Sequence, residues 1–386
     1  MDFALTDEQQ QFQATVRAFA NEKVRPVVLE WEHGNRYPTE LVEIMADMGL
    51  FGITVPQEHG GLGLDMISLA IVFEEIATVW MGLAGVLGSH SLACRMIAKH
   101  GTDAQKQQYL PEFATGERRT GFALTEPGAG TDLQGIQTRA WRDGDHYVVR
   151  GTKLWITNAR HANPLPVLVK TDPSAEPRHR GMSMLLIEQG LPGFTVSRDM
   201  GKLGYKGPET CEVSLDDVRV PVDCLLGGVE GRGMQQALSA LECGRINIAA
   251  RAVGVATAAL NAALRYTSER HAFGQKIADF QAVQMRLADM GSSVQAARLL
   301  TYWAADKLDT QPRADTETAM AKLFASETAL SCAVDSMRLH GAMGYSTELD
   351  VERYYRDAPL MAIGEGTNDV LRTVIAAGLL RELEPA

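Results

Sequence analysis

The sequence lacks several features that would mark a particular class of protein. Its five cysteines are scattered and never form a C-x-x-C pair, so neither a disulfide scaffold nor a structural zinc site is expected, and a reducing compartment is. Acidic residues outnumber basic ones by 48 to 37, and the net charge of −11 disfavours binding to nucleic acid or anionic membranes. Aromatic residues make up only 6%, while alanine, leucine and methionine are plentiful, which favours helix.

Long hydrophobic runs are also missing. The N-terminal segment MDFALTDEQQQFQ has neither the basic and apolar regions of a signal peptide nor an arginine-rich transit character. The run IATVWMGLAGVLG covers only 13 residues, too few to span a bilayer. The longer run from Ile246 to Leu264 is interrupted by Asn247, Arg251 and Asn261. We therefore expect a cytoplasmic protein without membrane insertion.

Common cofactor and catalytic motifs are absent as well. Gly231-Arg-Gly233 lacks the third glycine of G-x-G-x-x-G, and the sequence has no P-loop, H-E-x-x-H or G-x-S-x-G motif. The nine histidines are dispersed, so no metal centre is expected. Any cofactor must be held by something other than a Rossmann turn.

Hydrophobic periodicity divides the 386 residues into three parts. Residues 1–118 have helical spacing, with a helix start at Thr6 and further helices near 40–48, 66–79 and 103–114. Residues 227–386 have the spacing of a helical bundle, with four long helices predicted at 233–270, 280–308, 315–340 and 367–383. The first of these is apolar around nearly its whole circumference, which is typical of a helix buried inside a bundle.

The middle part, residues 119–226, has a different pattern. Short apolar runs alternate with turn signals such as Asp143-Gly144 and Pro192-Gly193; the runs are HYVVRG, KLWITN, PVLVKT, MSMLLIEQ, GFTVSR and TCEVSL. This spacing predicts a compact, barrel-like antiparallel sheet rather than βαβ units. The expected fold class is α+β, with a helical domain, a β domain and a C-terminal four-helix bundle.

The segment FALTEPGAGTDL, residues 122–133, is the first candidate for ligand binding. Its small residues allow backbone N–H groups to approach a ligand closely, and Thr125 and Thr131 add hydroxyl donors. A turn at a domain boundary would explain the same pattern. Further along, KLWITN places Trp155 and Thr157 in a strand, where a tryptophan is more often core than cofactor contact.

The segment IGEGTNDVLRTVIAAGLL, residues 363–380, is the second candidate. Thr367 or Asn368 would cap an apolar helix whose N-terminus suits an anion or phosphate. Glu365 stands between two glycines after an apolar run, and apolar surroundings would raise its pKa to suit a base that removes a C–H proton. A solvated loop glutamate is the alternative.

Two further segments carry polar residues at helix ends. In ERHAFGQKIADFQAVQMRLADM, residues 269–290, Arg270 and Gln281 flank a short loop at Gly274, as in a simple helical hairpin with solvated ends. In RLHGAMGYS, residues 338–346, two glycines break a helix and leave its C-terminal end open, which also fits a plain helix stop.

Together these segments resemble the acyl-CoA dehydrogenase family, over essentially the whole chain. FALTEPGAGTD, KLWITN, RHAFGQKIADFQ, RLHGAMGY and EGTNDVLR stand in the family's order and at suitable spacing. The resemblance implies FAD bound in an extended form between the β domain and the C-terminal bundle, with a neighbouring subunit closing the site. It also implies a homo-oligomer, a dimer of dimers, and a role in fatty acid β-oxidation.

The resemblance assigns residues position by position. Glu365 aligns with the catalytic base, and Gly244 occupies the position from which some branched-chain members supply the base. Positions matching substrate contacts are Thr131, Glu242, Arg245 and Gly366. Positions matching FAD contacts are Phe122, Leu124, Thr125, Gly130, Thr131, Trp155, Ile156, Thr157, Arg270, Phe273, Phe280, Gln281, Arg338, Leu339, Gly341, Ala342, Thr367 and Asp369.

The implied reaction is dehydrogenation of an acyl-CoA thioester to the trans-2-enoyl-CoA. Glu365 would take the Cα proton while hydride leaves Cβ for flavin N5, and an electron-transferring flavoprotein would collect the electrons. Two residues depart from the family pattern. Gly364 replaces an aromatic residue and Arg338 replaces an amide, which leaves the acyl group undefined.

Other hypotheses remain open at this point. An acyl-CoA oxidase or a dehydrogenase of carrier-protein-tethered acyl groups would share the fold. A non-catalytic helical interaction protein belongs to a different class, and the presence or absence of bound flavin would distinguish it.

Overall fold

The computed structural model describes residues 4–381 and 383, and in them two helical parts flank a central sheet. The predicted α+β fold class is confirmed, with one refinement to the sheet described below. The predicted C-terminal end of the last helix, residues 382–383, lies partly outside the described residues.

The N-terminal part is built from helices whose ends are fixed by side-chain caps. The Thr6 hydroxyl accepts a hydrogen bond from the Gln9 N–H at 3.2 Å, which confirms the predicted start of α1. Asp65 caps α4 in the same way through Ser68. The helices are α1 Asp7–Phe19, α2 Val28–His33, α3 Thr39–Asp47, α4 Met66–Ala77, α5 Met81–His100 and α6 Asp103–Thr115. Helix α5 was not predicted from the sequence, because its three glycines and high apolar content hide the helical period.

The central sheet has six strands in the order β4-β3-β1-β2-β6-β5. The strands are β1 Arg139–Asp143, β2 His146–Thr157, β3 Leu165–Lys170, β4 Met182–Ile187, β5 Phe194–Val196 and β6 Thr210–Pro221. The sheet is mixed rather than wholly antiparallel, since β3 runs parallel to β1. The reason is that the chain turns twice between these strands, once at each end of β2, and β3 then pairs with the free edge of β1.

The C-terminal part is a helical bundle around α7. Its helices are α7 Gly233–Glu269, α8 Gln281–Thr310, α9 Asp315–His340, α10 Val351–Ile363 and α11 Asn368–Arg381, and a two-stranded hairpin, β7 His271–Ala272 and β8 Gln275–Lys276, joins α7 to α8. Four of these helices match the predicted ones, whereas α10 was not predicted. Every residue from 242 to 256 of α7 is buried.

The buried residues of the three parts form two hydrophobic cores. The sheet has a core of its own around Val149, Val167 and Val213. The N-terminal helices and the bundle instead share one continuous core, in which the carbonyl oxygen of Glu74 on α4 lies 2.4 Å from where a Cβ on Gly254 of α7 would stand. By length and composition α7 could cross a membrane, but 78% of its most apolar window is buried inside the protein.

Candidate active site

Glu365 lies in the short loop that connects α10 to α11. Its backbone is left-handed, with φ +56°, and that of the following Gly366 is left-handed too, with φ +93°. A non-glycine residue adopts this conformation uncommonly, so the surrounding structure must hold the loop in place. The turn directs the glutamate side chain back towards α7.

The Glu365 carboxylate rests directly against the backbone of α7 at Gly244. A Cβ atom at Gly244 would lie 2.5 Å from Glu365 Oε2 and 2.9 Å from Leu92 Cδ1. Any side chain at this position would therefore displace the carboxylate. Position 244 and the end of the Glu365 side chain occupy the same place, so only one of them can supply an acid here.

The electrostatic surroundings of Glu365 are mixed. Burial raises the pKa of its carboxyl group above the ordinary value, while the positive charges of Arg251, Lys322 and Arg245 oppose that rise. A carboxylate whose pKa is raised by desolvation is a stronger base than one in water. The direction of the pKa shift agrees with the rise expected for Glu365, but the surroundings are not purely apolar, and of the three cations only Arg245 had been singled out from the sequence.

The N-terminus of α11 lies immediately beyond this loop. The Thr367 hydroxyl accepts a hydrogen bond from the Val370 N–H at 3.4 Å, so Thr367 and not Asn368 caps the helix. The buried Asn368 side chain is occupied elsewhere, since its Nδ2 donates to Ser326 Oγ at 3.0 Å and to Glu327 Oε1 at 2.9 Å. Asp369 is exposed and pairs with Arg372.

The segment from Phe122 to Thr131 is tied to the sheet by its backbone and by one buried carboxylate. The Leu154 N–H donates to the Thr125 carbonyl at 2.8 Å, and residues 126–129 form a tight turn. Glu126 accepts hydrogen bonds from the Thr138 N–H at 3.0 Å and from Lys153 Nζ at 2.8 Å. The same lysine nitrogen also donates to the Leu124 carbonyl at 2.9 Å. This side of the segment is fixed, while Gly130 and Thr131 remain exposed.

Trp155 projects from β2 where the strand bulges. The register with β6 shifts between Lys153 and Ile156, and Trp155 itself has φ +63°. The bulge turns the indole outward, 53% exposed, while the Ile156 side chain stays in the sheet core. The flat exposed ring, the partly exposed Thr157 and the open backbone at Gly130 fit a planar isoalloxazine. Phe122 is partly buried and Leu124 is buried, and both pack on the helical core behind this surface.

A cavity of about 660 Å³ lies beside the same segment. It brings Thr131 together with Glu242 of α7, two of the positions matched to substrate contacts. Lys99 and Arg313 also line it and can pair with phosphate groups, while Asp132 and Glu242 place two carboxyl groups in the same lining. Arg245, one turn of α7 further, is buried; its Nη1 donates to the Asp315 carbonyl at 3.1 Å and its Nε has no partner within the described residues.

The remaining predicted FAD contacts lie at the other end of α7. Arg270 follows the last residue of α7 and stands 26 positions beyond Gly244, a distance of about 39 Å along a helix. Near it, Tyr266 stacks on His340 at 4.3 Å between ring centroids, which brings the hairpin close to the 338–342 segment. The residues of this group are mostly exposed: Arg270, Phe273, Phe280, Gln281, Arg338, Leu339, Gly341 and Ala342. The fold therefore separates the predicted contacts into two groups, one near Glu365 and one far from it.

Two buried lysines near the site were missed by the sequence analysis. Lys153 lies on the same buried face of β2 as Tyr147 and Val149. Lys322 lies on the buried face of α9, at helical spacing from Thr318, Ala325 and Ala329. A lysine on the buried face of a strand or helix was the signal that could have revealed each of them.

Comparison with known proteins supplies independent evidence. Residues 6–117, 121–218 and 231–380 match the N-terminal, middle and C-terminal domains of acyl-CoA dehydrogenases. The chain is 41% identical to the probable acyl-CoA dehydrogenase YngJ of Bacillus subtilis, over 99% of this chain and 100% of the relative. It is 38% identical to the short-chain specific acyl-CoA dehydrogenase of Clostridium acetobutylicum, over 99% and 100%. The structure of butyryl-CoA dehydrogenase from Megasphaera elsdenii superposes with a TM-score of 0.95 at 37% identity, covering 99% of this chain and 100% of that one.

Proposed function

The chain belongs to the acyl-CoA dehydrogenase family of FAD-dependent oxidoreductases, and on that premise we propose that it converts an acyl-CoA thioester to the trans-2-enoyl-CoA with Glu365 as the catalytic base. One observation carries the assignment of the base. The Glu365 carboxylate is seated against the backbone of Gly244, at a point where α7 has no side chain and no acid of its own.

The surroundings of Glu365 suit proton removal from a thioester Cα. Burial raises the pKa of the carboxyl group, and the left-handed loop holds the side chain towards α7. The redox chemistry, acceptance of a hydride from Cβ, would come from FAD when it is bound. Trp155, Thr157 and Gly130 are proposed to hold the isoalloxazine, and Thr367 and Asp369 to hold the cofactor at the start of α11.

The cavity lined by Thr131 and Glu242 is proposed as the path of the CoA moiety. Lys99 and Arg313 provide two cations along it, and phosphates bind readily to such groups. Gly366 and Arg245 would lie at its inner end, close to Glu365. Such local cations, rather than the net charge of −11, are proposed to hold the polyanionic ligands.

We propose that the acyl group is short. Leu92 of α5 closes in on Gly244, and one turn along α7 the Asn247 Nδ2 lies 2.4 Å from where a Cβ on Gly88 would be. The two helices are therefore closely packed beside the proposed base. The similarity to short-chain specific relatives supports the same proposal.

The separation of the cofactor residues supports a homo-oligomer. Arg270, Phe273, Phe280 and Gln281 lie beyond the C-terminal end of α7, too far from Glu365 to reach a flavin held near it in the same chain. We propose that these residues and the 338–342 segment contact the FAD of a partner subunit, in a dimer of dimers, and that the protein works in the cytoplasm.

Anaerobic reduction of the purified holoenzyme tests the proposal. We expect butyryl-CoA to bleach the flavin absorbance rapidly, octanoyl-CoA slowly and palmitoyl-CoA not at all, with the trans-2-enoyl-CoA as product. A yellow enzyme that no acyl-CoA bleaches would contradict the proposed reaction.

The electron acceptor separates the two other reactions of this fold. We propose an electron-transferring flavoprotein, so the reduced enzyme should turn over quickly with that protein and slowly with oxygen alone. Fast turnover with oxygen would identify an oxidase, and bleaching by an acyl-carrier protein but not by the CoA thioester would identify a carrier-tethered substrate.

A further inference from the structure

Lys322 is a fully buried lysine on α9 that reaches the loop of the proposed base. Its side chain is 0% exposed. The ammonium Nζ donates to the Gly366 carbonyl at 2.7 Å and to Asn368 Oδ1 at 2.9 Å. Gly366 immediately follows Glu365, so the lysine holds the peptide next to the proposed base.

The loop needs such support because its backbone is unusual. Glu365 and Gly366 are both left-handed, and a glutamate keeps this conformation only where neighbouring contacts impose it. Asn368 is itself bonded to Ser326, one turn along α9 from Lys322. The start of α11 and the end of the left-handed turn are therefore both anchored to one face of α9.

The charge of Lys322 has no carboxylate partner in contact with it. Within residues 4–381, no acid lies at ion-pair distance from its Nζ; the charged groups that act on it are Glu365, Arg245 on α7 and Glu327 on α9. Burial lowers the pKa of Lys322 to about 8, and the Glu365 carboxylate opposes that change. The lysine is consequently still mostly protonated at neutral pH.

The groups that face Glu365 come from two elements. Arg251, Arg245 and the Cys243 thiol face it from α7, and Lys322 faces it from α9. Of the three cations, Lys322 is the one that also bonds to the loop carrying the glutamate. It can therefore affect both the position of the base and its charge.

We propose that Lys322 is a positioning residue for the reaction, fixing the Glu365–Gly366 loop by its hydrogen bonds and stabilising the ionised form of Glu365 by its charge. This inference rests on the proposed function, since it assumes that Glu365 is the base. Its hydrogen bonds go to the loop that follows the proposed base and to the start of α11, so it acts through the glutamate.

The test is the pH dependence of anaerobic flavin reduction in three variants of the holoenzyme. Lys322→Met removes both the charge and the donor, whereas Lys322→Gln removes the charge and keeps an N–H donor. Ser326→Ala, on the same face of α9, is the matched control because it removes the neighbouring bonds to Asn368 and leaves the lysine. FAD content and oligomeric state are measured for each.

Both lysine variants should need a higher pH to reach full activity. Without the positive charge the pKa of Glu365 rises, so the rate profile moves upward by about half a pH unit or more. Lys322→Met should also be slower than Lys322→Gln, by about tenfold at its own optimum, because the loop is no longer fixed. Ser326→Ala should keep the wild-type profile.

Two outcomes would overturn the inference. One is an unshifted pH profile of the rate in lysine variants that hold FAD, whatever their rate, and the other is an equal shift in Ser326→Ala.

Glu365→Gln is run in parallel to separate this inference from the proposed function. If the Glu365→Gln variant still reduces the flavin, the assignment of the base fails. If that variant is inactive while both lysine variants behave like the wild type, only the role of Lys322 fails. Should Lys322→Met fail to fold, Lys322→Gln alone decides the shift.

Discussion

Lys153 in the sheet and Lys322 in the bundle form an instructive pair. Both are 0% exposed, and burial lowers the pKa of each to about 8. Lys153 donates to a carboxylate, Glu126 at 2.8 Å, and to the Leu124 carbonyl. Lys322 donates only to neutral oxygens, those of Gly366 and Asn368.

The difference teaches what each charge is used for. In the sheet the charge of Lys153 is neutralised by the bonded carboxylate of Glu126. This pair fixes the backbone of residues 122–131, the segment proposed to bind flavin. In the bundle the lysine has no carboxylate at ion-pair distance and acts at longer range on the carboxylate of Glu365, where its charge can affect a proton transfer. Equal burial thus accompanies a structural role in one region and a chemical role in the other.

The largest effect on stability is expected from breaking the pair in the sheet. Lys153→Met leaves the buried Glu126 carboxylate without its cation, which should cost about 3–5 kcal/mol. Thermal unfolding and FAD content of the purified variant measure the loss. Lys170→Met, a partly exposed lysine on β3 of the same sheet, is the control and should be near wild type. A stable, fully flavinated Lys153→Met would show that the pair does not organise this segment.

A smaller but specific effect is expected at Gly244. Gly244→Ala places a methyl group 2.5 Å from Glu365 Oε2 and so displaces the carboxylate. Because a displacement of about 1 Å can cost about a hundredfold in rate, flavin reduction should fall by that order while FAD remains bound. Gly291→Ala in α8 is the control, since nothing lies within 4 Å of the added atom. Equal rates in the two variants would place the working base elsewhere.

The smallest effect is a pH dependence of stability. The pKa of Lys322 is about 8 in the folded protein and near its ordinary value in the unfolded chain. Between these values the unfolded chain binds more protons, so the cost of burying the lysine is complete below about pH 8 and is lost as the pH rises. The stability of the wild type relative to Lys322→Met should therefore improve by on the order of 1–2 kcal/mol between about pH 7 and about pH 9.5. Parallel melting curves at the two pH values check this; a constant difference would mean that burial does not lower the pKa of Lys322.

The sequence predicted the elements whose ends carry a capping residue or whose apolar residues recur at a regular period. Thr6 gave the start of α1, and the spacing of apolar residues gave α7 and α9 closely. It did not predict α5, whose apolar residues show no clear helical period, or β1, whose five residues RAWRD are mostly charged and exposed. Periodicity shows where a face is buried, and these two elements show no such face.

The sequence predicted which residues belong to the site but not how they are arranged in space. The resemblance assigned Glu365 and noted Gly244, but the contact between them depends on a left-handed turn that no local pattern indicates. Trp155 had a strand pattern that favoured burial, whereas a bulge turns it outward. Lys322 and Arg251 act on Glu365 from helices distant in sequence, so only the packed fold brings them together.

The most direct test of the account is flavin reduction by Glu365→Gln. The amide preserves the size of the side chain and its seat against Gly244 but is unable to accept the proton. The variant should retain FAD and bind butyryl-CoA, and anaerobic bleaching should be slower than in the wild type by about a thousandfold or more. Bleaching at the wild-type rate would contradict the assignment of Glu365 as the base.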